Sequence, residues 1–383
     1  PPPPEKPKGP ILLKSRAQRI KEEEEEASRR RREERKKARA AGDATAETAT
    51  ESTSVDIVDE RTLDTVLHAE GGVERLLERG KTLQFGGFAI LRRLSEGGMG
   101  VVFKASHPKH GVVALKVLRR DMVDEKNIAR FKQEAWAISA FDHPAVVKVR
   151  DLATVGGMPY IAMEFIDGED LLAVGFRREL TYWQTAEAIK KIADVLELVH
   201  ARNIWHRDIK PQNVLRDRSG EIKLIDFGIA TIEREHDDAT KTGEGLIMGT
   251  PAFLSPEQAA RGKMGPIDGR ADLYSLGAVF YYLLTGRRPF SGRSAVEILH
   301  ANMTQPPPHP RTVDELIPGG LADICLKLLE KDPAGRFQTA AELKAAIDAW
   351  RRSPDGRMEK ERHDKILKLR ALKARRQKAA AGP

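Results

Sequence analysis

Between positions 205 and 215 the chain reads WHRDIKPQNVL, which sets His206, Arg207, Asp208, Lys210 and Asn213 close together. Apolar Trp205, Ile209, Val214 and Leu215 bracket them. A solvated loop has no use for such anchors, and a core strand would not tolerate so much charge. A little further on, Asp226 follows the run EIKLI and precedes Phe227 and Gly228. Asp208, Asn213 and Asp226 offer only oxygen donors, a hard set that suits Mg²⁺ better than zinc. Any one of them alone reads as well as an Asx turn or a helix cap. Their combination sets the question of which elements bring them to one place.

Upstream lies LSEGGMGVVFKA, residues 94–105, between two β-type runs. The pattern predicts a hairpin whose glycine-rich tip lets main-chain N–H groups approach a phosphate. An ordinary hairpin turn has the same look. The next run, VVALKVL (112–118), carries Lys116 among apolar residues. A buried ammonium there needs an anionic partner, whereas an edge-strand lysine would simply reach solvent. Ile128, Phe131, Ala135 and Ile138 then recur at helical spacing, which puts Glu134 on the inward face. Carboxylate and ammonium would satisfy each other's burial. YIAMEFIDGEDL (160–171) reads as a strand leaving the small sheet through a glycine-containing hinge. An amphipathic helix through Ile189, Ile192, Val195, Leu196 and Val199 precedes the charged loop.

With EGGMG, HRDIKPQN, DFG, MGTPAFLSPEQ and DLYSLGAVFYYLLTG all in this order, the chain resembles the protein kinase family over roughly residues 85–350. It looks most like the eukaryotic-like (Hanks-type) serine/threonine kinases of bacteria. The resemblance implies an α+β fold: a small β-rich lobe with one main helix over a larger, mostly helical lobe, with ATP in the cleft. Ser95, Glu96, Gly97, Gly98, Met99 and Gly100 would form the lid over the phosphates, and Val102 and Ala114 would line the nucleotide site. Lys116, oriented by Glu134, would hold the α- and β-phosphates. Met163 would be the gatekeeper, with Glu164 to Ile166 as the adenine-contacting hinge. Asp208 would accept the substrate hydroxyl proton, and Lys210 would stabilise the transferring phosphoryl group. Asn213 and Asp226 would hold Mg²⁺ or Mn²⁺.

The same resemblance implies that Asp272 steadies the catalytic loop and that Glu257 and Arg336 form a buried ion pair. It pairs Arg207 with a phosphate on the segment 226–257, where Thr240 and Thr242 are the candidate phosphosites. It also sets Thr250 against the catalytic Asp and Lys. Two positions depart from the family pattern. Ser95 stands where the first glycine is usual, which predicts a strained turn and weakened ATP binding. Ser255 puts a hydroxyl where a methyl is expected. A pseudokinase, an ATP-binding scaffold without catalysis, is the competing class, but the strand lysine, catalytic acid and metal ligands are all present.

The flanks read differently. Residues 1–84 form a charged or disordered extension: PPPPEKPKGP at the start, a Glu/Arg-rich stretch at 16–41 suited to a solvated helix, and an Ala/Thr/Glu/Ser linker at 43–54. Residues 351–383 carry 12 Lys/Arg against four acids, an excess equal to the whole chain's net charge of +8. The basic character thus belongs to one tail. Ile366, Leu369 and Leu372 within it predict a weakly amphipathic basic helix that could meet anionic lipid or nucleic acid, with a solvated tail as the plain reading. TQPPPHP (304–310) reads as an inter-helix connector. The single Cys325 excludes an internal disulfide and suits a reducing, cytoplasmic location. No apolar run approaches membrane-spanning length. The chain starts at Pro1 rather than Met, as a fragment would, so an anchor beyond either end is left open. Protein substrates with Ser/Thr are implied; oligomeric state is not.

Overall fold

A computed structural model describes residues 72–78, 82–226 and 251–380. The small lobe is a six-stranded antiparallel sheet in the order β1-β2-β3-β4-β6-β5. Its strands are β1 (Leu83–Phe85), β2 (Phe88–Glu96), β3 (Gly100–His107), β4 (Gly111–Leu118), β5 (Val149–Val155) and β6 (Met158–Glu164). Strand alternation divides the sheet's faces. Val101, Phe103, Ala105, Val113, Leu115 and Val117 are fully buried in the lobe's own core. The alternate positions Val102, Ala114 and Lys116 lie on the opposite face. Register carries that face across strands, because Val102 pairs Lys116 and Ala114 pairs Met163.

Helix α1 (Gly72–Glu78) caps the small-lobe core through Val73, Leu76 and Leu77, and Leu83 is fully buried. The packed unit therefore starts before Phe85. Periodicity over one short helix is too weak a signal to reveal this from sequence. Helix α2 (Glu125–Ser139) is capped by Asp124, whose side chain accepts from Asn127 N at 2.7 Å. It buries Phe131, Ala135 and Ile138 between the lobes' apolar residues.

The large lobe starts at β7 (Gly168–Asp170), which joins β8 (Val214–Asp217) and β9 (Ile222–Leu224) in a three-stranded sheet. Between β7 and β8 come α3 (Leu171–Phe176) and α4 (Tyr182–His200), the latter opened by a Thr181–Gln184 capping box. After α5 (Pro256–Ala259), helix α6 (Gly269–Thr285) is buried at every position from Ala271 to Thr285, as its all-round apolar sequence requires. It stops at Gly286, whose φ of 69° is the left-handed cap glycine allows. Helices α7 (Ala295–Thr304) and α8 (Pro310–Val313) are joined by the proline-rich connector, and α9 (Gly319–Leu328) and α10 (Ala340–Arg352) complete the bundle. Cys325 is fully buried on α9, with its Sγ 3.7 Å from Gly277 O.

Residues 354–380 form one long helix, α11, whose first turns pack on the large lobe. His363 and Glu359 are buried, and His363 Nδ1 lies 2.9 Å from Thr181 Oγ1. The packed unit thus runs past Trp350. Of the predicted apolar stripe, Ile366 is half-buried, while Leu369 and Leu372 are exposed. No helix among the described residues is long and apolar enough to cross a membrane. The stretches 16–41 and 43–54, and the candidate phosphosites Thr240 and Thr242 with Thr250, lie outside the described residues.

Candidate active site

Residues 205–215 fold as a loop pinned by its apolar residues, and Ile209 and Val214 enter the large-lobe core with 2% and 0% exposure. A second set of pins is polar. Asp272, at the start of α6 and 1% exposed, accepts from His206 N (2.8 Å) and Arg207 N (2.7 Å), and its Oδ2 lies 2.9 Å from His200 Nε2. Arg207 adopts φ 65°, a left-handed conformation costly for a non-glycine L-residue. Its carbonyl oxygen accepts from Gln258 Nε2 at 2.8 Å, so both sides of the strained residue are held. Asp272 thus steadies the loop as the family resemblance implies. His200 and Gln258 were not foreseen, since contacts across 51 or more residues leave no local pattern. His206 is fully buried, and burial lowers its pKa; its Nδ1 accepts from Asp208 N at 3.3 Å, so the neutral ring holds the turn.

At the loop's tip Lys210 Nζ lies 2.6 Å from Asp208 Oδ2, and Asn213 Nδ2 donates to the same oxygen at 2.8 Å and to Asp208 O at 2.9 Å. Asn213 O in turn accepts from Ile225 N at 3.0 Å, which sets Asp226 beside the loop. Asn213's amide nitrogen is occupied by Asp208, so its oxygen is the donor left for a cation next to the Asp226 carboxylate. That pair fits a hard divalent ion completed by phosphate and water.

From the small lobe, Lys116 Nζ reaches Glu134 Oε1 at 2.5 Å and Asp226 Oδ1 at 3.2 Å. Burial works against the ammonium, yet the Asp226 and Glu134 carboxylates outweigh it and hold Lys116 charged. Asp226 stays below the usual carboxylate range despite burial, chiefly because of Lys116. Burial pushes the Glu134 carboxyl up to about 7 against the pull of Lys116. Between pH 4.5 and about 7, folded Glu134 therefore holds a proton that the unfolded chain has already released, and above that range it is the carboxylate that pairs with Lys116. Its contribution to stability is full below pH 4.5 and is lost as pH rises through about 7. Protonated Glu134 resembles glutamine, so wild type and Glu134→Gln are expected to have similar Tm at pH 5, and wild type should fall relative to the variant as pH rises to 8, read by calorimetry. Asp226 titrates below that window, and a pH-independent difference would show that Glu134 is ionised throughout.

The glycine-rich tip is closed by Gly97 N donating to Gly100 O at 2.9 Å and Arg119 N donating to Met99 O at 3.0 Å. Glu96 is anchored by Arg93 (3.2 Å) and Arg119 (3.6 Å). Gly100 is needed for close approach, because a Cβ there would sit 2.5 Å from Val117 O. Ser95 corrects the sequence expectation. It pairs with Val102 just after a register shift between Arg93 and Ser95, and it is not among the residues with positive φ, so no left-handed strain awaits relief by glycine. Met163 is buried on β6, and Ile166 is half-buried beyond it. Glu164 Oε1 accepts from Lys148 N at 3.0 Å and lies 2.7 Å from Lys223 Nζ, tying the hinge to both lobes. Ser255 also finds its reason: its hydroxyl accepts from Gln258 N at 3.3 Å, while Gln258 Oε1 accepts from Ser255 N at 3.2 Å. This capping box opens α5 and orients the glutamine that holds Arg207.

Residues 88–346 match the family described as the protein kinase domain. The chain is 38% identical over 270 residues to the serine/threonine-protein kinase Pkn1 of Myxococcus xanthus, which takes in 68% of this chain and 38% of that protein. It is 38% identical over 262 residues to the serine/threonine-protein kinase PknB of Mycobacterium tuberculosis, covering 66% of this chain and 41% of the relative. The chain thus spans about two-fifths of the length of these curated relatives. The crystal structure of the Mycobacterium tuberculosis PknI kinase domain matches with a TM-score of 0.53 at 27% identity, over 70% of this chain and 97% of that one. Two lobes meeting at Lys116, Glu134, Asp226 and Asp208, together with a family match over most of the packed residues, establish that this chain belongs to the protein kinase family.

Proposed function

We propose that the chain transfers the γ-phosphoryl group of ATP to serine and threonine hydroxyls of protein substrates. The observation that carries this is the contact of Lys116, from the small lobe, with both Glu134 and Asp226 beside the Asp208–Lys210–Asn213 cluster. Lys116 holds the α- and β-phosphates, and the backbone of residues 95–100 covers them. Val102, Ala114, Met163 and the hinge from Glu164 to Ile166 receive the adenine. Asp208 takes the proton of the acceptor hydroxyl as its oxygen bonds to the γ-phosphorus and the bond to the β-phosphate oxygen breaks, releasing ADP. Lys210 neutralises the charge that builds on the transferring group. Asn213 and Asp226 would hold Mg²⁺ or Mn²⁺, which supplies further neutralisation of the phosphates.

Lys210, two residues after Asp208, and the names of the relatives both support Ser/Thr over tyrosine acceptors. Incubation with labelled ATP and peptides bearing single Ser, Thr or Tyr acceptors is expected to label the first two only, and EDTA should abolish the signal. Tyrosine labelling, or ATP hydrolysis without transfer, would overturn the reading. Autophosphorylation at Thr240 and Thr242, a cytoplasmic site of action, and an anionic lipid or nucleic acid as partner of α11 belong to the same proposal. Supporting the last, Leu367, Leu369 and Leu372 are exposed among Lys365, Lys368 and Lys373.

A further inference from the structure

Lys331, just past α9, reaches two other helices of the large lobe. Its Nζ donates to Tyr274 Oη on α6 at 3.0 Å and to Asn302 O on α7 at 2.5 Å. The second acceptor has need of it, because the residue four positions after Asn302 is Pro306, which has no N–H to close the last turn of α7. Nζ also lies 4.0 Å from the centre of the Phe290 ring. Tyr274 Oη donates in turn to Asn302 Oδ1, and Asn302 Nδ2 donates to Leu254 O at 2.5 Å. Tyr274 and Asn302 are fully buried, so neither side chain has water as an alternative partner.

The direction of every bond in this chain is forced. An ammonium has no lone pair and can only donate, while a carbonyl oxygen can only accept. Lys331 therefore turns the Tyr274 hydroxyl towards Asn302 Oδ1, which leaves the amide nitrogen facing Leu254 O. A charge at one end fixes a backbone position at the other. That position bears on the catalytic loop. Of residues 252–258 only Leu254 is not buried, and Gln258 in the same short segment holds the Arg207 carbonyl. The segment presents one side chain outward, beside the loop that carries Asp208.

We propose that Lys331, Tyr274 and Asn302 are positioning residues, a one-way hydrogen-bond relay that sets where Leu254 meets the polypeptide carrying the acceptor hydroxyl. The proposal rests on the kinase reading above and names residues that tune substrate affinity without touching the reacting atoms.

The charge that drives the relay can be removed. Burial first, and then the Arg336 guanidinium, bring Lys331 down to about 8 against the pull of Glu330. Glu257, on α5, is taken up by Arg336, and burial keeps the Tyr274 hydroxyl protonated far above this range. Once neutral, Nζ offers a lone pair that competes with Asn302 for the Tyr274 proton. Stability moves the other way. The folded value lies below the unfolded 10.5, so unfolding takes up a proton between about 8 and 10.5, and stability gains as pH rises through that range.

Transfer to a single-threonine peptide is measured from pH 7 to 9. Anisotropy of the same peptide, fluorescein-labelled, on the full chain gives a readout that needs no catalysis. Wild-type kcat/KM and peptide affinity should fall by about fivefold across that range, while the Tm of wild type rises relative to Lys331→Met. A part in stability alone would not move the two in opposite directions. Lys331→Arg keeps its charge and should hold kcat/KM flat. Tyr274→Phe carries the same test if Lys331→Arg does not fold. It should raise peptide KM about tenfold, the scale of one buried group left unpaired, and erase the pH dependence, with kcat and ATP affinity within about twofold. If no peptide is labelled but its affinity still falls in Tyr274→Phe, the kinase reading fails and the relay stands. Peptide KM and affinity in Tyr274→Phe within about twofold of wild type, or a fall with pH in Lys331→Arg equal to that of wild type, would overturn the relay alone.

Discussion

Asp208→Asn is expected to lower kcat by about 10²- to 10⁴-fold, equivalent to about 3–5 kcal/mol of transition-state stabilisation, with nucleotide affinity within about twofold of wild type. The separation follows from where the groups sit. Asp208 shares its Oδ2 with Lys210 and Asn213 at the tip of a large-lobe loop, whereas Lys116 and the glycine-rich strands belong to the small lobe. An asparagine fills the same space and can still accept from Asn213, but it cannot take a proton from a hydroxyl. Nor can it pair by charge with Lys210. The loss should therefore fall on kcat and on kcat/KM alike, the sign of an interaction made in the transition state. Lys116→Met provides the contrast, since it strands the buried Glu134 beside Asp226 and should weaken nucleotide binding directly. The measurements are phosphate transfer at saturating ATP and nucleotide binding by calorimetry. Equal phosphate incorporation by wild type and Asp208→Asn would remove Asp208 from its role.

Most of this site was legible because its parts are local. The loop 205–215 announces itself by apolar anchors around charge, and Lys116 by an ammonium inside a strand pattern. Glu134 follows from helical period alone, since only one face of α2 can be buried. What residue spacing alone could not show is long-range, and for Asp272 only the family resemblance supplied the role. The Asp272 carboxylate meets backbone N–H groups 65 and 66 positions away, and Gln258 closes on Arg207 from an element with its own separate signature. Ser95 shows the opposite error. Glycine's freedom suggested left-handed strain where the backbone has no positive φ, because a family pattern says which residue is usual and not which φ the position takes. The start of the C-terminal helix is hidden from sequence for a related reason. Charge density made residues beyond Trp350 look solvated, yet His363 and Glu359 are buried, and two buried positions are enough to dock the start of a helix whose other faces stay basic.

Removing either partner of the Glu257–Arg336 pair should destabilise the protein by about 3–5 kcal/mol, because it leaves the other charge buried and uncompensated. The side chains are 2% and 0% exposed, and the contact is a two-pronged fork, with Nη1 to Oε1 at 2.7 Å and Nη2 to Oε2 at 2.9 Å. Every remaining guanidinium N–H is used as well. Nε donates to Glu330 O at 2.8 Å, Nη1 to Arg270 O at 2.9 Å and Nη2 to Lys331 O at 3.0 Å. Lysine cannot reproduce five donors in one plane, so Arg336→Lys should cost nearly as much as Arg336→Ala. The pair fixes α5 against the end of the large lobe, and α5 carries the Gln258 that holds the strained Arg207 carbonyl. Glu257→Ala should therefore lower kcat as well as Tm, the latter by roughly 6–10 °C at ~2 °C per kcal/mol for a domain of this size. Glu257→Leu combined with Arg336→Met is the discriminating variant. It replaces two charges by packed apolar groups, so it should recover much of the stability lost by either single change, while leaving Glu330, Arg270 and Lys331 carbonyls without their donor. Calorimetric unfolding of the three variants decides the matter: a Glu257→Ala protein within about 1 kcal/mol of wild type would mean that water or another base reaches Arg336 and that the pair is not sealed.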